Sequence, residues 1–182
     1  MRCYYTKFIR EIHFDRTRYQ QFLREQGLNG HDIMHLNILF ITDFTLSHLR
    51  GSPTLAEGGF FFQRDREYIA KLNKDVRGLY RPCSASRACA TIFLRPQRYE
   101  APVHQMDPIF LDEPLLHETR HHIQYCLKLP CSEKINEVLI GGDPISKRNQ
   151  PWEIDAEDFT RKHIGQVSFF LPVSRPLKRG DL

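Results

Sequence analysis

The stretch Asp112-Glu113-Pro114-Leu115-Leu116-His117-Glu118-Thr119-Arg120-His121-His122-Ile123-Gln124-Tyr125-Cys126-Leu127 decides how this chain reads. Asp112 can accept backbone N–H bonds as a helix cap, Glu113 suits the positive helix end, and Pro114 suits an early-turn position. Leu115, Leu116, Ile123, Tyr125 and Leu127 follow, and Pro130 argues for termination. Inside this helix lies His117-Glu118-Thr119-Arg120-His121, an H-E-x-x-H segment. Residues four apart share a helix face, so two imidazoles can reach one metal ion from successive turns. Glu118 is rotated about 100° from His117. It flanks a metal without binding it, where a carboxylate can take a proton from water. Zinc lowers the pKa of such water to about 7.

Hydrolytic zinc sites keep three protein ligands and one open position, so two histidines leave the set incomplete. A second helix is signalled by Asn149-Gln150-Pro151 and stopped by Gly165. It offers Glu153, Asp155, Glu157 and Asp158, with Glu153 and Glu157 on one face. Arg120 is expected to pair with an acidic group on that helix, Glu157 or Asp158, and Trp152 to pack against the H-E-x-x-H helix. His122 points off the ligand face and reads as a packing or surface residue. His104 lies at the surface or near the site, the surface being favoured. Tyr80, Tyr99 and His163 are candidate oxyanion donors, and spacing does not choose among them.

Elsewhere the reading is coarser. Phe14 to Gln26 reads as a helix with Phe14, Tyr19, Phe22 and Leu23 apolar and Gly27 as its stop. His31 to Arg50 continues as helix, in part compatible with strand. Asp65 to Lys74 fits a short helix or turn, Gly141-Gly142-Asp143-Pro144 a turn, and Gln166 to Leu171 a short strand. In Arg87 to Leu94 the residues Ala88, Ala90, Ile92 and Leu94 alternate, which predicts a strand.

The 182 residues suffice for one domain with its own core, and 41% hydrophobic with 26% charged residues is ordinary for a globular protein. No apolar run approaches the ~20 residues that span a bilayer. Lys7, Arg10 and Glu11 break any signal-peptide pattern, which predicts a cytoplasmic protein. The net charge of +4 reads as a solvated surface ahead of a nucleic-acid patch. The five cysteines, odd in number and unevenly spaced, read as reduced thiols.

H-E-x-x-H followed by Glu153-Ile154-Asp155-Ala156-Glu157-Asp158-Phe159, an E-x-x-A-(D/E)-x-F pattern, resembles the gluzincin peptidases. These include the compact ImmA/IrrE-like and related minimal zincins, and the CAAX-prenyl type of membrane protease. The resemblance covers about residues 87–165. It implies that Glu153 is the third ligand, that Ala156 lets the two helices pack closely, and that Glu157 orients a ligand histidine. It also implies that Arg87 to Leu94 is the edge strand that zincins place above the metal. This chain has Glu157 where the membrane relatives have aspartate, and it lacks their transmembrane helices. It also lacks the third histidine and Met-turn of metzincins.

The resulting expectation is a single α+β domain of zincin type over residues 1–172. Residues 1–86 form a helical N-terminal portion, 87–172 the metal-binding core, and 173–182 a flexible tail. The expected activity is peptide-bond hydrolysis, with Zn2+ on His117, His121 and Glu153 and with Glu118 as general base. The substrate is a peptide or protein, in one version a single specific protein. The rival reading is a catalytically silent zincin fold or basic module that binds a protein or nucleic acid.

Overall fold

A computed structural model describes residues 2–4, 12–40, 78–83, 89–94, 109–132 and 149–172. In chain order these carry strands β1 (Arg2–Tyr4) and β2 (Ile12–Phe14), helices α1 (Arg16–Glu25) and α2 (Gly30–Met34), and strands β3 (Leu36–Phe40), β4 (Gly78–Arg81) and β5 (Ala90–Leu94). Helix α3 (Ile109–Leu127), a 3-10 turn (Pro130–Ser132), helix α4 (Pro151–His163) and strand β6 (Phe170–Pro172) follow. The expectations for Asp65 to Lys74, Gly141 to Pro144, His104, Tyr99 and the tail fall outside the described residues.

Four strands form one mixed sheet in the order β1-β3-β5-β4, and β2 pairs with β6 in a separate antiparallel ribbon. β1, β3 and β5 run parallel, with Leu36 opposite Ala90 and Phe40 opposite Leu94. β4 turns back antiparallel to β5, with Gly78 opposite Leu94 and Arg81 opposite Thr91. This corrects two expectations. Where the sequence predicts a helical portion, the described residues among the first 86 carry two short helices and four of the six described strands, and β1, β3 and β4 share a sheet with β5. β5 is not the edge strand. It lies between β3 and β4, all five of its residues are buried, and β1 and β4 are the edges among the described residues.

Local chemistry accounts for the boundaries. Asp15 caps α1 by accepting the Arg18 N–H at 2.9 Å, which leaves Phe14 outside the helix and free to pair opposite Phe170. Gly27 adopts φ 92, the left-handed conformation that ends the helix, and its N–H bonds the Arg24 carbonyl. Asn29 caps α2 through the Asp32 N–H, but that helix stops after one turn, and Leu36–Phe40, apolar except for Asn37, becomes a parallel strand that is buried from Leu36 to Leu39. In α3, Asp112 is not the cap: the helix has begun by Ile109, and buried Asp112 accepts the N–H of Phe169 at 2.9 Å. Pro114 therefore sits inside the helix, where it removes one rung of the hydrogen-bond ladder.

Helix α3 is the centre of the core. Leu111, Leu115, Leu116 and Ile123 join Tyr19, Phe22 and Leu23 of α1, Ile38 and Ile92 of the sheet, and Phe169 and Phe170. Thr119, an x position of the H-E-x-x-H segment, donates its hydroxyl to the Leu115 carbonyl at 2.6 Å. The Tyr19 hydroxyl, 2.6 Å from Thr119 Oγ1, is then the donor of that pair and ties α1 to the helix that bears the histidines.

The two buried polar ties should differ in weight. Asp112→Ala strands a buried N–H and is expected to cost about 1–3 kcal/mol, whereas Tyr19→Phe leaves Thr119 still bonded and should cost about 1 kcal/mol. Chemical denaturation of the two variants checks the order.

Candidate metal centre

Three side chains from two helices meet at one point. His117 and His121 stand one turn apart on α3, and Glu153 reaches them from the first turn of α4. Pro151 opens α4, where its missing N–H costs nothing, and a carboxylate in the first turn sits at the positive end of the helix dipole. Glu153 Oε2 lies 3.1 Å from His117 Nε2 and 3.5 Å from His121 Nε2, and the two ring nitrogens are 3.2 Å apart. The three donor atoms form the group, among the described residues, that could hold a metal ion. Bonds of about 2.0–2.1 Å to three corners of a tetrahedron put those corners about 3.3 Å apart. The residues present fit a small tetrahedral cation.

The electrostatics ask for a positive charge here. Burial alone would raise the Glu153 carboxyl, but hydrogen bonds to His117 and His121 hold it well below the usual carboxylate range. Burial alone would lower the His121 imidazole, but its bond to Glu153 and the charges of Glu118 and Glu153 bring it up to about 9. The centre opens to one side: His117 and Glu153 keep 25% and 22% of their side-chain surface, while His121 keeps 7%.

Glu118 faces a different neighbour. It is buried against β4 at Gly78, where a Cβ would lie 2.7 Å from its Cγ and 2.8 Å from its Oε1. Burial raises its carboxyl above the usual range, and His117 and His121 pull the other way. One turn further on, His122 occupies the same face. It is buried, bonded to the Tyr80 hydroxyl at 3.0 Å, and burial drives its imidazole down to about 4.

The surrounding contacts correct the expected partners. Arg120 pairs with Asp155, at 2.7 and 3.0 Å, and not with Glu157 or Asp158. Its guanidinium also lies 5.0 Å from the centre of the Phe159 ring. Asp158 pairs with Arg161, and Glu157 is exposed and orients neither histidine. The reason is helical phase: Trp152, Ala156 and Phe159 form the buried stripe of α4, which turns 157 to solvent and sets 155 beside the crossing. The residue that does bond His121 is Gln124, whose Oε1 is 2.9 Å from Nδ1. Trp152 is buried, and its carbonyl accepts from Gln124.

Of the candidate oxyanion donors, Tyr80 is committed to His122, and His163 sits at the far end of α4 from Glu153, about 15 Å along the axis. The sequence singles out neither Gly78 nor Gln124, and Asp155 stands in it as one of four acidic residues on α4. Gln124 does fall three residues after His121, a spacing that allows contact on a helix.

Comparison with family models, with curated proteins and with solved structures gives no match. No helix among the described residues is long and apolar enough to cross a membrane.

Gly78 is expected to tolerate no side chain. Gly78→Ala must displace Glu118 or strand β4, at a cost of about 1–3 kcal/mol. The three donor atoms are untouched, so metal content should stay that of the wild type. Thermal melting and elemental analysis read the two effects separately.

Proposed function

We propose that this chain is a zinc-dependent peptidase of the gluzincin type, with zinc on His117, His121 and Glu153 and with Glu118 as its general base. The observation that carries the reading is the convergence of the three donor atoms at 3.1–3.5 Å. Two imidazoles and one carboxylate suit zinc, and they argue against magnesium or calcium, which take oxygen ligands. A zincin-type arrangement of α3, α4 and the small sheet follows from the same reading.

Zinc, when bound, supplies a Lewis acid that makes hydroxide available near neutral pH and polarises a carbonyl. The chain's own groups do the rest. The exposed flank of His117 and Glu153 leaves room for water and a scissile bond. Glu118, one residue from His117 and held in place by the backbone at Gly78, takes the proton of the attacking water and returns it to the leaving amine. A carboxyl whose proton affinity is raised by burial suits that exchange. Strand β4 is outermost in its sheet among the described residues and carries Gly78 past Glu118, so an extended substrate lying along the exposed flank of His117 and Glu153 runs beside it. A substrate held in that way is a peptide or an unfolded protein segment, and a single dedicated protein satisfies the same geometry.

Elemental analysis of the purified protein is expected to find about one zinc per chain, lost in His117→Ala and in Glu153→Gln. Glu118→Gln should keep the zinc and lower cleavage of a proteome-derived peptide library by at least about 100-fold. A wild type without zinc would end the proposal. Zinc retained with equal cleavage by wild type and Glu118→Gln would reduce the centre to a structural one.

A further inference from the structure

Gln124 spans the two helices of the metal centre. Its Nε2 lies 2.8 Å from the Trp152 carbonyl and 2.7 Å from Asp155 Oδ2, while its Oε1 lies 2.9 Å from Nδ1 of His121. A backbone carbonyl and a carboxylate paired with arginine can only accept, so the NH2 group must face them and the amide oxygen must face the ring. That orientation decides the imidazole. Nδ1 carries hydrogen and donates it to Gln124, and a neutral ring then keeps its lone pair on Nε2. This is the nitrogen that meets His117 and Glu153. Flipping the amide would set its oxygen against two acceptors at once. Asp155 is itself fixed by the two-point pair with Arg120, and both Gln124 and His121 are buried.

We propose that Gln124, fixed by Asp155 and Arg120, is a positioning residue that holds the Nδ1–H of His121 and the plane of its ring, and so leaves Nε2 as the nitrogen that a metal takes in exchange for any proton there. The inference rests on the metal-binding reading above and adds the residue that preorganises the site. Without an acceptor at Nδ1, a neutral imidazole divides its proton between both nitrogens, and the ring can turn. Loss of such a partner lowers metal affinity by about 10–100-fold. A neutral amide does this without adding a second negative charge beside Glu153.

The test compares full-length wild type with Gln124→Met, whose side chain is similar in length but accepts no strong hydrogen bond. Zinc affinity is measured by competition with a chromophoric chelator, and imidazole N–H signals are recorded by NMR on the zinc-loaded, isotopically labelled proteins. Affinity should fall by about 10–100-fold. A slowly exchanging Nδ1–H signal from His121 should be present in the wild type and missing in the variant, a signature that general loosening of the fold would not selectively erase. Should Gln124→Met not fold, the wild-type spectrum alone decides, because a His121 Nδ1–H that exchanges freely with solvent overturns the inference. Zinc bound equally tightly by both proteins would overturn it too and leave the metal centre standing. A wild type that binds no zinc would remove both.

Discussion

The contact between the Glu153 carboxylate and the two imidazoles of α3 sets the terms for the rest of this structure. Three Lewis-basic atoms stand 3.1–3.5 Å apart in a partly desolvated niche, an arrangement that is repulsive unless something positive lies among them. The charges of Glu118 and Glu153 favour a proton on His121, and a divalent cation answers the demand more fully. Whatever the occupant, α3 and α4 must stay in register to within a fraction of an ångström. The Arg120–Asp155 pair and the fully buried Ala156 at the crossing supply that register.

Helix α3 manages this because it is enclosed and each side meets a different neighbour. Leu111, Leu115, Leu116 and Ile123 face the core, with Thr119 bonded to Tyr19. Glu118 and His122 face the β4 strand, one against Gly78 and the other against Tyr80. His117, Arg120, His121 and Gln124 face α4. A rotation of 100° per residue sorts consecutive side chains into these three environments. Glu118 therefore lies between the sheet edge and the histidines without being one of the three converging donors.

Parts of this arrangement were legible from the chain. Asp15 and Gly27 bound α1 within a residue or two of the expected helix, because capping and left-handed stops are local chemistry. Phe14 reads as helical from the sequence but is the last residue of β2, since its role is set by a strand 156 positions later, at Phe170. The run Leu36–Phe40 is too short for periodicity to separate helix from strand, and its pairing with β1 and β5 decided the matter. Asp112 has every mark of a cap, yet it bonds Phe169 from within the helix.

The sequence by itself determined that His117 and His121 share a face, that Glu118 lies beside them, and that an acidic helix follows, because i to i+4 geometry is fixed by hydrogen bonds within one helix. It did not determine which side chains of α4 would meet that face beyond what the resemblance suggested at Glu153. The choice of Asp155 over Glu157 for Arg120, and of Gln124 as the partner of His121, was made by the tertiary structure. The rotation of one helix against another depends on how residues distant in the chain fill the space between them, and Trp152, Ala156 and Phe159 turned α4 to the one phase that packs.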